Sequence, residues 1–171
     1  GIGILYGKTE LLDKMPPYQG GGDMVDTVSF AKSTYNSLPL KFEAGTPMIA
    51  EVMGLGAAID YLKALDMVDV HNWEHLLLER ATKKLQNIPG LRIIGTAKEK
   101  GALISFLIEG IHPLDIGTML DLKGIAIRTG WLCAQPSLRR FTQKGVARAS
   151  FGLYNTLEEV DFFAESLQEI T

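Results

Sequence analysis

Reactive side chains are few in this sequence, and one stretch gathers several of them. It reads R-T-G-W-L-C-A-Q-P over residues 128–136, with Arg139 and Arg140 close behind. The stretch holds the chain's one cysteine, Cys133. A thiol attacks or ligates only as thiolate, which forms where positive charge or a helix N-terminus lies near. Pro136 is a good first-turn residue, so a short helix is expected just past Cys133, its positive end towards the sulfur. Arg128, Arg139 and Arg140 add positive field, whereas Trp131 and Leu132 oppose ionisation by excluding water. A free cysteine is also at home as a small buried hydrophobe. On these local grounds a reactive and an inert thiol are evenly matched.

Other chemistries fit less well. Cys133 and Arg139 have the spacing of a cysteine phosphatase loop. That loop wraps phosphate in backbone N–H groups, and Pro136 has none to give. A thiol protease needs a base, and His71, His75 and His112 all lie outside a recognisable context for one. His71 and His75 are spaced i, i+4 on an expected helix, but no third ligand is near in sequence, so no metal site is expected. Glycines in G-L-G-A-A (residues 54–58) sit within a helical pattern and read as close packing. Those in Q-G-G-G-D-M (residues 19–24) read as a linker or as a turn that brings backbone close to a ligand.

The chain has 171 residues, 46% of them hydrophobic and 22% charged, which is soluble globular composition. That length suits one large domain, or one domain with part of another. A net charge of -3 leaves no basic footprint for nucleic acid or an anionic membrane. One cysteine excludes an internal disulfide and suits a reducing cytoplasm. No apolar run is long enough to span a bilayer.

These residues need elements to place them. Ile2–Tyr6 is expected to be a buried strand, apolar from the first residues and without an initiator Met. The chain therefore reads as the C-terminal piece of something longer. M-V-D-T-V-S-F (residues 24–30) reads as half of a hairpin. Thr46-Pro47 reads as cap and first turn of a helix that is apolar on most faces, hence buried. A second helix is expected over 69–86, with Trp73, Leu76, Leu77, Ala81 and Leu85 on one face. Strands are expected at 91–94, 102–108, 125–127 and 146–153, and a helix at 113–122 closed by Gly124. Thr156-Leu-Glu-Glu is a capping box opening the last helix. This order is α/β or α+β.

Four stretches together resemble one family. They are G-I-G-I-L-Y-G-K-T-E-L-L-D-K-M-P-P-Y-Q-G-G-G-D-M, F-E-A-G-T-P, G-I-A-I-R-T-G-W-L-C-A-Q-P and R-A-S-F-G-L-Y-N-T-L-E-E-V-D. The chain is similar to the pyridoxal 5'-phosphate (PLP) dependent cysteine desulfurases of the fold-type I, class V aminotransferase superfamily, with a cysteine loop of the short SufS type. The resemblance implies an α/β chain: residues 1–62 the tail of a large PLP-binding domain, and 63–171 an α+β small domain. It implies that Cys133 takes sulfur from L-cysteine, becomes a persulfide and releases L-alanine. By the same resemblance Arg148 binds the substrate carboxylate, Arg128 is a second active-site arginine, and Thr46 reaches the PLP phosphate of the other subunit. It further implies a cytoplasmic homodimer that hands sulfur to an acceptor protein for iron–sulfur cluster assembly.

Two departures stand out. Where the family commonly has His before the cysteine, this chain has Trp131 and Leu132. The Schiff-base lysine of the family lies upstream of the first strand, and Lys8 and Lys14 are in the wrong context to replace it. The chain by itself is therefore expected to be inactive. A selenocysteine lyase or related class V PLP enzyme, or a non-catalytic truncated paralogue acting as sulfur acceptor or interaction module, are the alternative readings.

Overall fold

The computed structural model describes residues 1–171, which form two compact units, Gly1–Ala64 and Leu65–Thr171. The first unit holds a short helix α1 (Thr9–Leu12), the hairpin β1 (Val25–Val28) and β2 (Ser33–Tyr35), a 3-10 turn at Leu40–Phe42, and helix α2 (Ile49–Lys63). The hairpin is antiparallel, and a hydrogen bond between the Thr27 and Thr34 hydroxyls at 2.6 Å joins its strands.

Three expectations fail in this unit. Ile2–Tyr6 forms no strand and is exposed, because no element of the unit offers it a ladder to pair with. Thr46 does not cap α2: the helix starts at Ile49, with Met48 at the cap and no side-chain cap bond. A residue before proline is pushed to extended backbone, so Pro47 delays the helix. Finally, α2 has no buried residue, and Met53 is 73% exposed. Its apolar residues circle the helix, while Met24 is the unit's one buried hydrophobic side chain.

The second unit is two-layered. Its four-stranded antiparallel sheet runs in the order β3 (Leu91–Ile94), β4 (Leu103–Ile108), β6 (Val146–Ser150), β5 (Arg128–Gly130). Alternation along β4 buries Ile104, Phe106 and Ile108 and turns Leu103, Ser105 and Leu107 to the other face. Helices α3 (Met67–Leu85), α4 (Pro113–Asp121) and α6 (Leu157–Ile170) cover the buried face. Leu77, Ala81, Ile116, Leu120, Phe163 and Leu167 join it in one core. Asp66 caps α3 by accepting from the Val68 N–H at 2.8 Å, and Thr156 with Glu159 forms the expected capping box on α6. A short helix α5 (Gln135–Leu138) precedes β6.

One strand is displaced from its expected place. The ladder begins at Arg128, not Ile125: the Ile125 N–H donates to the Leu120 carbonyl at 3.0 Å in the turn that closes α4. Ile125 and Ile127 pack against the core instead.

An ion triad ties α3 to α6. Arg80 Nε donates to Asp161 at 2.7 Å and Lys84 Nζ lies 2.8 Å from the same carboxylate. The two cations hold the Asp161 carboxyl well below the usual carboxylate range, Arg80 contributing most. A carboxyl whose pKa is depressed on folding stabilises fully above its unfolded pKa, about 4, and loses that contribution as pH falls through the folded value. Asp161→Asn is therefore expected to lower the melting temperature at neutral pH, with the gap to wild type closing below about pH 4. Thermal melts of both proteins across that range check it.

Candidate active site

Strand register brings the two singled-out arginines together. Arg128 of β5 stands directly opposite Arg148 of β6, so both side chains leave the same face of the sheet. That face is the one away from the core, since Ala147 and Ala149 of β6 point inward. Two like charges directly opposite each other repel. Arg148 Nε is moreover buried without a hydrogen-bond partner. Both costs fall when an anion sits between the guanidinium groups, and a carboxylate matches their planar fork.

Behind this face β5 is held by α4. A Cβ on Gly117 of α4 would lie 2.7 Å from Thr129 Cγ2, so the helix approaches the strand only because that residue is glycine. The chain then leaves β5 through Gly130, at φ 105°, into the cysteine loop. Leu132 (φ 54°) and Cys133 (φ 58°) are both left-handed, and the Ala134 N–H closes the turn on the Trp131 carbonyl at 2.9 Å. Each non-glycine residue in that region costs about 1–2 kcal/mol. The surrounding structure therefore holds the thiol in a strained backbone.

Cys133 is exposed, which removes the reading of it as a buried hydrophobe. Arg128 Nη2 donates to its sulfur at 3.5 Å. Arg139 and Arg140, past the end of α5, make no bond to it. Trp131 and Leu132 are half-buried beside it. Thus one cation, Arg128, touches the sulfur and stands across the ladder from the second arginine.

Gly145 is a part of the site that sequence reasoning missed. It lies at φ 80°, and a Cβ there would fall 2.6 Å from the Gly130 carbonyl carbon. The start of β6 can lie against the start of the cysteine loop only because residue 145 is glycine. A lone glycine ahead of V-A-R-A was the available signal. Gly145→Ala is expected to destabilise the second unit by about 2–4 kcal/mol, through left-handed backbone plus steric overlap. Urea unfolding against wild type measures it.

The remaining singled-out residues do not join the site. Thr46 belongs to the first unit, where it is exposed. His112 caps α4, its Nδ1 accepting from the Leu114 N–H at 3.2 Å. The His71 and His75 rings stack 6.4 Å apart, and His75 pairs with Glu79 at 3.2 Å. No three His, Cys, Asp or Glu side chains are grouped to hold a metal ion. No helix is long and apolar enough to cross a membrane.

An exposed cysteine on a strained loop, beside opposed arginines on an antiparallel sheet, meets a match over most of the chain: this protein belongs to the aminotransferase class-V family, whose model matches residues 1–163. Among its relatives, a probable cysteine desulfurase of Streptomyces coelicolor is 50% identical over 99% of this chain. The solved structure of the cysteine desulfurase CsdA from Escherichia coli, in an S-sulfonic acid form, superposes with a TM-score of 0.89 at 40% identity over 96% of this chain. The apo cysteine desulfurase of Thermococcus onnurineus gives the same TM-score at 33% identity, also over 96%. This chain spans 41% of the Streptomyces protein, 41% of the Escherichia coli chain and 42% of the Thermococcus one.

Proposed function

We propose that this chain is the C-terminal part of a SufS-type, fold-type I cysteine desulfurase, in which Cys133 takes sulfur from L-cysteine and releases L-alanine. One observation carries the reading: the exposed Cys133 sulfur accepts from Arg128, which stands opposite Arg148 across the β5–β6 ladder. Arg148 binds the substrate carboxylate with two parallel hydrogen bonds. Arg128 orients the sulfur and adds positive charge to the same face. The Cys133 sulfur bonds to the substrate sulfur as the carbon–sulfur bond of the substrate breaks. Atoms and electrons balance without a further oxidant or reductant, since thiol plus cysteine equals persulfide plus alanine.

PLP, when bound, supplies an electron sink at the substrate carbon. Thr46 suits its phosphate: the hydroxyl is exposed and forms no hydrogen bond within the chain. Lys8 and Lys14, exposed at the two ends of α1, are left out of the chemistry. The Schiff-base lysine is assigned to the share of the relatives' length that this chain does not span. In this reading 1–62 is the tail of the large domain and 63–171 is the small domain. The full-length enzyme works as a cytoplasmic homodimer, passing sulfur to an acceptor protein for iron–sulfur cluster assembly.

The test is a mass measurement. Full-length enzyme given L-cysteine without an added thiol, then digested, is expected to carry one extra sulfur on the Cys133 peptide, removed by dithiothreitol. Alanine release with that peptide unchanged would overturn the assignment.

A further inference from the structure

We propose that the surface following the cysteine loop, Arg139 to Lys144 with Arg92 beside it, docks an acidic, apolar-centred face of the sulfur-acceptor protein. The inference rests on the desulfurase reading above. Past α5 the chain reads R-R-F-T-Q-K over residues 139–144, three cations with no acid, in a protein of net charge -3. Arg92, Arg139, Arg140 and Lys144 are all exposed, and none takes part in a salt bridge. In their midst Phe141 is 50% exposed. Arginine and aromatic side chains are the types enriched at interface hot spots.

The segment is held in place. Arg92 Nη2 donates to the Phe141 carbonyl at 2.9 Å, tying it to β3. The Phe141 and Thr142 N–H groups donate to the Leu138 carbonyl at 2.9 and 3.0 Å, and the Lys144 N–H donates to Thr142 Oγ1 at 3.1 Å. A partner therefore meets a preformed surface and orders little on binding.

Lys144 also stands between two recesses. One, of about 360 Å³, is lined by Arg92, Thr142 and Lys144, with Glu109 its one carboxylate. The other, of about 400 Å³, is lined by His112, Gln143, Lys144, Gly130 and Trp131, so it runs to the root of the cysteine loop. A partner carboxylate paired with Lys144 thus has its neighbouring side chains beside Gly130 and Trp131, at the root of the cysteine loop. Charge complementarity selects a protein carboxylate cluster over nucleic acid. The patch attracts acids at short range, whereas the protein's overall negative charge disfavours a long polyanion.

The probes are two fluorescent, cysteine-free peptides of equal length, one rich in glutamate around a central leucine, the other with lysine in place of glutamate. Each is titrated by anisotropy into full-length enzyme at low ionic strength. The glutamate peptide is expected to bind and the lysine peptide not. R140E/K144E is expected to weaken binding about tenfold or more, and added salt to weaken it in wild type. Alanine release supported by dithiothreitol, which needs no docking, is expected to be the same in variant and wild type. Should R140E/K144E fail to fold, R140Q/K144Q replaces it, with a smaller loss expected. Equal affinity for the two peptides, or binding unchanged by the substitutions, overturns the docking surface. Binding of a single-stranded DNA oligonucleotide as tight as that of the glutamate peptide overturns the choice of partner. Peptide binding that obeys the prediction in an enzyme forming no persulfide sinks the desulfurase reading and leaves the acidic-partner surface standing.

Discussion

In the full-length enzyme, Cys133→Ser is expected to lower alanine release from L-cysteine at least about a thousandfold, the scale of losing a nucleophile. The reason is chemical more than steric. Serine keeps the size and the exposed position, but its hydroxyl stays protonated at neutral pH and is a poor nucleophile toward sulfur. The substitution should leave folding untouched, since Cys133 packs into no core and its backbone is held by Gly130, Trp131 and Ala134. The measurement is single-turnover alanine formation beside the absorbance of bound PLP. Cofactor absorbance retained with alanine lost places the defect at the sulfur. Turnover that survives the change would mean a different PLP chemistry, in which this thiol is idle.

Arg148→Ala is expected to lower kcat/KM about a hundred- to a thousandfold, since it strips a charge-assisted pair from the substrate carboxylate. Most of that loss should appear in KM, because the carboxylate is held alike in the ground and transition states. Arg148→Lys should recover only part: an ammonium restores the charge but not the two-pronged fork. The fold should respond in the opposite sense. Arg148 Nε is buried with no partner and the side chain faces Arg128, so Arg148→Met is expected to stabilise the second unit by about 1 kcal/mol. Gain in melting temperature with loss of substrate affinity marks an arginine kept for its ligand. A purely structural arginine would lose both together.

Local chemistry was legible directly. The Thr156–Glu159 box, Pro136 at the start of α5, the apolar stripe of α3 (apart from Leu76, which is exposed while Leu78 is buried) and the β1–β2 hairpin are each decided by residues within a few positions of one another. The reactive candidates were legible too. Cys133 stood out as the one thiol between turn signals, and the family resemblance picked out Arg128 and Arg148.

Sequence reasoning failed where the outcome depends on a distant partner. Ile2–Tyr6 has strand composition, but a strand exists only beside another, and none is offered in its unit. The apolar circumference of α2 signalled burial, yet burial needs a covering surface as well as an apolar helix. Thr46 has the right type for a cap, and Pro47 moved the helix start past it.

Composition and periodicity, then, determined which helices form and which residues could react. Tertiary structure alone decided that the thiol is open to solvent, that Arg128 reaches its sulfur, and that Gly145 and Gly130 must touch. It also decided that β5 pairs in the register setting Arg128 against Arg148. A shift of one residue would send Arg128 to the core face and undo the site. That register also turns Thr129 towards Gly117 of α4, a contact that no residue pattern announces.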